Sequence, residues 1–164
     1  MRSAQARAKL GRAWRSRRHD PRRTRPVEAD EGCKLTAYPD PITHADPWTI
    51  GYGATGPDIK EGTVWTQQQA DDDLVERVDE LAQQLAAHLP WLAALNPVRQ
   101  DVLINIAYNI GLAGLLRWPV TLGAVGHGDY VTAAADIRNN KVWASQVHDR
   151  CTRCAKAMET ASWD

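Results

Sequence analysis

Residues 31–53, "EGCKLTAYPDPITHADPWTIGYG", concentrate polar and ionisable groups in a chain otherwise rich in Ala, Leu and Arg. Glu31, Asp40 and Thr49 stand in order, and Gly-Tyr-Gly closes the stretch. Two carboxylates on elements that meet at a cleft are the least equipment needed to split a glycosidic bond. One, protonated, hands its proton to the leaving oxygen; the other, ionised, stabilises positive charge on the sugar or activates water. Their environments must therefore differ. Glu31 ends a predicted helical turn ahead of Gly32, and Asp40 lies in a proline-flanked turn, wet enough to stay ionised. Acid pairs at this spacing are also common on protein surfaces, so the residues alone leave a polar hairpin as an open alternative.

The elements that must position these groups are legible in outline. From Leu35 to about Ile59, Gly, Pro, Asp and Thr alternate with Tyr, Trp and Ile, which predicts two or three short antiparallel strands with a long first turn. In "TQQQADDDLVERVDELAQQLAAHL", Thr66 with Gln69 forms a capping box, and Leu74, Val78, Leu81, Leu85 and Leu89 recur at helical spacing up to Pro90. In "NPVRQDVLINIAYNIG", Asn96 caps a second helix, Pro97 opens it and Gly111 closes it. Its wide apolar stripe marks it as central to the core. Shorter helices are expected around 119–126, 128–138 and 147–159.

The chain has 164 residues and 43% hydrophobic content, enough for a globular core. The formal net charge of zero hides a split. Residues 1–26 hold ten Lys/Arg and one acid, Asp20, leaving ten basic against nineteen acidic residues in the rest. This predicts a basic, flexible extension broken by Pro21 and Pro26, attached to an acidic body. No apolar run has signal-peptide or membrane-spanning length, so export is expected by another route. Cys33, Cys151 and Cys154 are too few for a disulfide framework. The Cys151/Cys154 C-x-x-C reads as two helix-borne thiols, with a zinc site as the alternative. Cys33 reads as a small packing residue, with a redox-sensitive thiol near Glu31 as the alternative.

The segment "DEGCKLTAYPDP…WTIGYG" resembles the catalytic signature of the phage-type lysozymes (endolysins of glycoside hydrolase family 24, the T-even-phage group). Glu31, Gly32, Tyr38, Asp40 and Thr49 carry that likeness. "GTVWTQQQADDDL" is similar to the family's entry into its interlobe helix, "VRQDVLINIAYNIG" to its central helix, and "DRCTRCAKAMETASWD" to its C-terminal segment. The resemblance covers roughly residues 27–164. It implies an α+β, mostly α, lysozyme-like fold: a β-containing catalytic lobe over 27–65, a connecting helix over 66–89 and a helical lobe over 90–164.

The resemblance also implies an activity: hydrolysis of the β-1,4 bond between N-acetylmuramic acid and N-acetylglucosamine in bacterial peptidoglycan, for host lysis. Glu31 would be the general acid, Asp40 would position water or stabilise the transition state, and Thr49 would hold the water. Thr55, Tyr108, Thr121 and Asp136 match positions that contact the saccharide, and Arg150 matches an arginine that orients the acid. Tyr108 has a core role as its alternative; Trp118 and Trp143 read as core. No cofactor and no metal are expected, a monomer is the default since oligomerisation has no signal, and synthesis in the host cytoplasm with action on the cell wall is expected.

The basic extension is suited to an anionic envelope surface, while the acidic body argues against a specific nucleic-acid partner. The chain departs from the family's pattern in three places. Eight residues, "PITHADPW", separate Asp40 from Thr49, and Ala54 stands where a histidine is usual. Only "TRPVEADEG" leads into Glu31, where the family has an apolar helix. These departures keep a second reading in view: a catalytically weakened, saccharide-binding protein on the same scaffold.

Overall fold

A computed structural model describes residues 20–40 and 45–163, so residues 1–19 of the basic extension lie outside it. The described residues form two compact units, 20–80 and 81–163. The architecture is α+β and mostly α, as expected.

The first unit opens with helix α1, Pro21–Glu31. Asp20 caps it, its side chain accepting a hydrogen bond from the Arg22 N–H at 3.0 Å, and Pro21 takes the first helical position, where a missing N–H costs nothing. The helix then continues through Pro26, contrary to the expected break, so Arg22–Pro26 are helical rather than extended. Pro26 forgoes one internal hydrogen bond, and tertiary contacts offset that loss. Arg23, Thr24 and Val27 are buried, and Arg23 pairs with Asp79 at 3.2 Å. The Arg23–Asp79 ion pair and the buried Val27 are among the contacts that hold the helix ahead of Glu31, despite its thin apolar face. Gly32 ends it at φ +65, its N–H donating to the Glu28 carbonyl at 3.2 Å.

Three antiparallel strands follow in the order β1 (Lys34–Tyr38), β2 (Thr49–Gly51), β3 (Ala54–Thr55). Lys34 pairs with Gly51 and Tyr38 with Thr49, so β1 bulges between its two paired ends. The bulged middle turns to another partner: Ala37 N–H donates to the Thr63 carbonyl and Trp65 N–H to the Leu35 carbonyl, both at 2.9 Å. One face of the sheet buries Ala37, Ile50 and Ala54 against Trp48, Ile59 and Trp65. Gly51 is required where it stands: its φ is +62, and a Cβ there would meet Trp65 Cζ3 at 3.0 Å.

Helix α2, Gln67–His88, starts with the expected capping box. Thr66 N–H donates to Gln69 Oε1 at 2.8 Å, and Gln69 N–H donates to Thr66 Oγ1 at 3.2 Å.

In the second unit, a 3-10 turn at Leu92–Ala94 precedes α3, Pro97–Ile110. Asn96 caps α3 and Pro97 opens it, as expected. Every residue from Gln100 to Ala107 is buried, so α3 is the core helix of this unit. Around it come α4 (Leu112–Leu115), α5 (Pro119–His127), α6 (Tyr130–Asn139), α7 (Lys141–Val147) and α8 (Asp149–Thr160). The short α7 was not expected; Asn140 caps it, accepting from Trp143 N–H at 3.1 Å. Among the described residues no helix is long and apolar enough to cross a membrane.

Candidate active site

Glu31 is the last residue of α1 and is exposed, with the open, Cβ-free Gly32 beside it. Asp40 lies just past β1 and is half-buried. Its N–H donates to the Ala45 carbonyl at 3.1 Å, which closes the longer turn at its base. The Asp40–Thr49 insertion is therefore tied off immediately after Asp40, and residues 41–44 lie outside the described part.

Thr49 opens β2, where its Cα partners are Tyr38 on one side and Thr55 on the other. Directly paired residues in an antiparallel sheet share a face. Tyr38, Thr49 and Thr55 therefore form one row on the face opposite the small apolar core, and Asp40 stands two residues beyond the end of that row. Two of the sequence-predicted positions, Thr49 and Thr55, are thus brought side by side. The Lys34 ammonium lies 4.2 Å from the centre of the Tyr38 ring, adding positive charge near the row.

Beneath the Gly-Tyr-Gly turn, Tyr52 is buried and its hydroxyl donates to Asp71 Oδ1 at 2.9 Å. Gln67 Nε2 donates to both, at 3.1 Å to the Tyr52 oxygen and 2.7 Å to Asp71. Burial, then the hydrogen bond to Asp71, push the Tyr52 phenol up to about 12. This network fastens the hairpin that carries Thr49 and Thr55 to the first turn of α2. Sequence reading missed it; "GYG" followed by an acid-rich helix start was the available signal. Cys33, expected to pack, is exposed instead, with its Sγ 3.9 Å from Gln67 Nε2.

The remaining predicted positions lie in the second unit. Tyr108 is half-buried on α3. Thr121 on α5 is fully buried, and its hydroxyl donates to Asp136 Oδ2 on α6 at 2.5 Å. Of the two, only the half-buried Asp136 reaches solvent. Arg150 on α8 is buried, and its Nε donates to Asn105 Oδ1 on α3 at 2.9 Å. Asn105, itself fully buried, was not anticipated; a polar side chain amid the apolar residues 102–107 was its signal.

Of the two tryptophans expected in the core, Trp143 is there and Trp118 is half-buried. Trp143 is buried, stacks edge-on to Trp118 at 5.4 Å and donates its indole N–H to Asn109 Oδ1 at 2.8 Å. Cys151 and Cys154 are buried and free, and burial pushes the Cys154 thiol up to about 12. Among the described residues no group of three or more His, Cys, Asp or Glu could hold a metal ion.

A sequence profile of the family described as Phage lysozyme matches residues 28–152. The endolysin of Lactococcus phage c2 is 39% identical over 86 residues, which are 52% of this chain and 36% of that protein. The endolysin of Bacillus phage PZA is 33% identical over 111 residues, 68% of this chain and 42% of that protein. The chain thus spans about two fifths or less of the length of the curated relatives it matches.

Proposed function

We propose, from the premise that this chain belongs to the phage lysozyme family, that it cleaves the glycan strands of bacterial peptidoglycan and so lyses the host cell. The bond would be the β-1,4 link between N-acetylmuramic acid and N-acetylglucosamine. The observation that supports this best is the row of Thr49 beside Thr55 on the free face of the sheet, with Asp40 at its end and Glu31 exposed at the end of its helix.

In this reading the Glu31 carboxyl donates its proton to the glycosidic oxygen as the C–O bond breaks. Asp40 takes a proton from a water held by the Thr49 hydroxyl, and that water adds to the anomeric carbon. The products carry the elements of one water, and Glu31 and Asp40 return to their starting states by proton exchange with solvent. Inversion by this route needs a carboxyl separation of about 6.5–9.5 Å, enough for the water. Thr55 and Tyr108 would bind the saccharide together with Asp136, which Thr121 orients. Arg150 would orient the acid. Synthesis in the host cytoplasm, action at the wall as a monomer and attraction of residues 1–26 to an anionic envelope surface complete the proposal.

The exposure of Glu31 favours one second reading. A general acid works best when shielded from water, so an exposed one fits a weakened enzyme that mainly binds saccharide. A zymogram on purified cell walls decides between them. The proposal expects clearing by the wild type and a loss of about 100-fold or more in Glu31→Gln. No clearing by the wild type supports the weakened form, and equal clearing by both removes Glu31 as the acid.

A further inference from the structure

We propose that Arg23 and Asp79 are a positioning pair for Glu31: their buried ion pair fixes α1 against α2 and thereby sets where the acid stands. The inference rests on the reading of Glu31 as the general acid. Nothing in the family resemblance or the comparisons assigns either residue a role.

Arg23 Nη1 lies 3.2 Å from Asp79 Oδ1, with the two side chains 2% and 8% exposed. Charges this deeply buried are tolerated only when paired, and breaking one partner leaves the other stranded out of water. The pair therefore allows one seating of α1 where a purely apolar contact would allow several. Thr24 turns its hydroxyl to Glu28 within the helix, and Val27 is the single buried apolar side chain among the described residues of α1.

Arg23 and Glu31 are eight residues apart, roughly 12 Å along a helix, so a tilt of about 5° at Arg23 displaces Glu31 by about 1 Å. Pro26 lies between them and removes one internal hydrogen bond, which lowers the helix's own stiffness over that span. Beyond Glu31, Gly32 sits at φ +65 with nothing within 4 Å of where a Cβ would be.

The test uses the full-length protein and its Asp79→Asn variant. Hydrolysis of soluble peptidoglycan fragments is followed well below each protein's Tm, with amide hydrogen exchange along α1 measured in parallel. Asp79→Asn is expected to lower kcat about 10- to 100-fold with KM within about twofold, the signature of a misplaced acid rather than lost binding. Exchange at Val27–Gly32 is expected to quicken about tenfold or more while the sheet amides keep wild-type rates. Should Asp79→Asn not fold, Arg23→Lys, which keeps the charge on a shorter and less directional group, is expected to show the same split to a smaller degree. Wild-type kcat and wild-type α1 exchange in a folded variant, even one of lower Tm, overturn the pair's role. Hydrolysis by Glu31→Gln equal to wild type overturns the acid assignment itself and the pair's catalytic meaning with it, while the exchange data still report whether the pair holds the helix.

Discussion

Thr121 Oγ1 donates a hydrogen bond to Asp136 Oδ2 at 2.5 Å, from a threonine with no exposed surface to a half-buried carboxylate. The pair links α5 to α6 and fixes the direction of the carboxylate. Thr121→Val keeps the shape and deletes the donor. It is expected to lower stability by about 1.5–3 kcal/mol, the usual worth of a hydrogen bond to a charged group. If Asp136 contacts saccharide, KM for soluble peptidoglycan fragments should rise while kcat changes little. Thermal unfolding and steady-state kinetics on one preparation check both; an unchanged KM would remove Asp136 from the binding surface.

Gly51→Ala is expected to destabilise by at least about 1–2 kcal/mol, because φ +62 penalises any Cβ. The new methyl would also meet the Trp65 ring at 3.0 Å. Since Gly51 ends the strand that begins with Thr49, hydrolysis should fall further than unfolding alone accounts for. Activity of the folded fraction, measured well below Tm, tests this. Full activity there would show that the strand's placement tolerates the shift.

Tyr52 makes stability depend on alkaline pH. Its phenol is raised from 10.0 to about 12, by burial first and the Asp71 hydrogen bond second. A pKa higher in the folded than in the unfolded chain means that the unfolded chain loses its proton first as pH rises. The contribution is therefore fully present below about pH 10 and fades as pH climbs toward about 12. Tyr52→Phe should lose this part of the alkaline decline. Unfolding curves between those two pH values, with tyrosinate absorbance in parallel, check the sign.

Of the three thiols, Cys33 is exposed while Cys151 and Cys154 are buried. Burial raises the pKa of both buried thiols, in Cys154 to about 12. At neutral pH the native protein should show one fast-reacting thiol, and all three after unfolding. Cys33→Ser should abolish the fast phase. A fast phase that survives in Cys33→Ser would mean that the C-terminal helix opens readily.

Local chemistry was legible in the sequence wherever a signal and its consequence lie within a few residues. The Thr66–Gln69 capping box, Pro97 opening α3 behind its Asn96 cap, and the two glycines of "GYG" are such cases, because caps and left-handed turns are decided by neighbouring backbone groups. Family membership followed from motifs of the same short range, strung along the chain in order.

Tertiary structure alone decided what depends on distant partners. Helix α1 runs through Pro26, and its Arg23 meets Asp79, 56 residues away. The row of Tyr38, Thr49 and Thr55 exists through strand pairing, whose bulge no local pattern announces. Thr121 is hidden and Cys33 is not, since burial depends on which elements cover a residue rather than on its type. Sequence by itself determined the main strands and helices, their order and the family. The meeting of Arg23 with Asp79 was decided by the tertiary structure, because a buried charge pair offsets the cost of leaving water only when two side chains 56 residues apart in the chain come together.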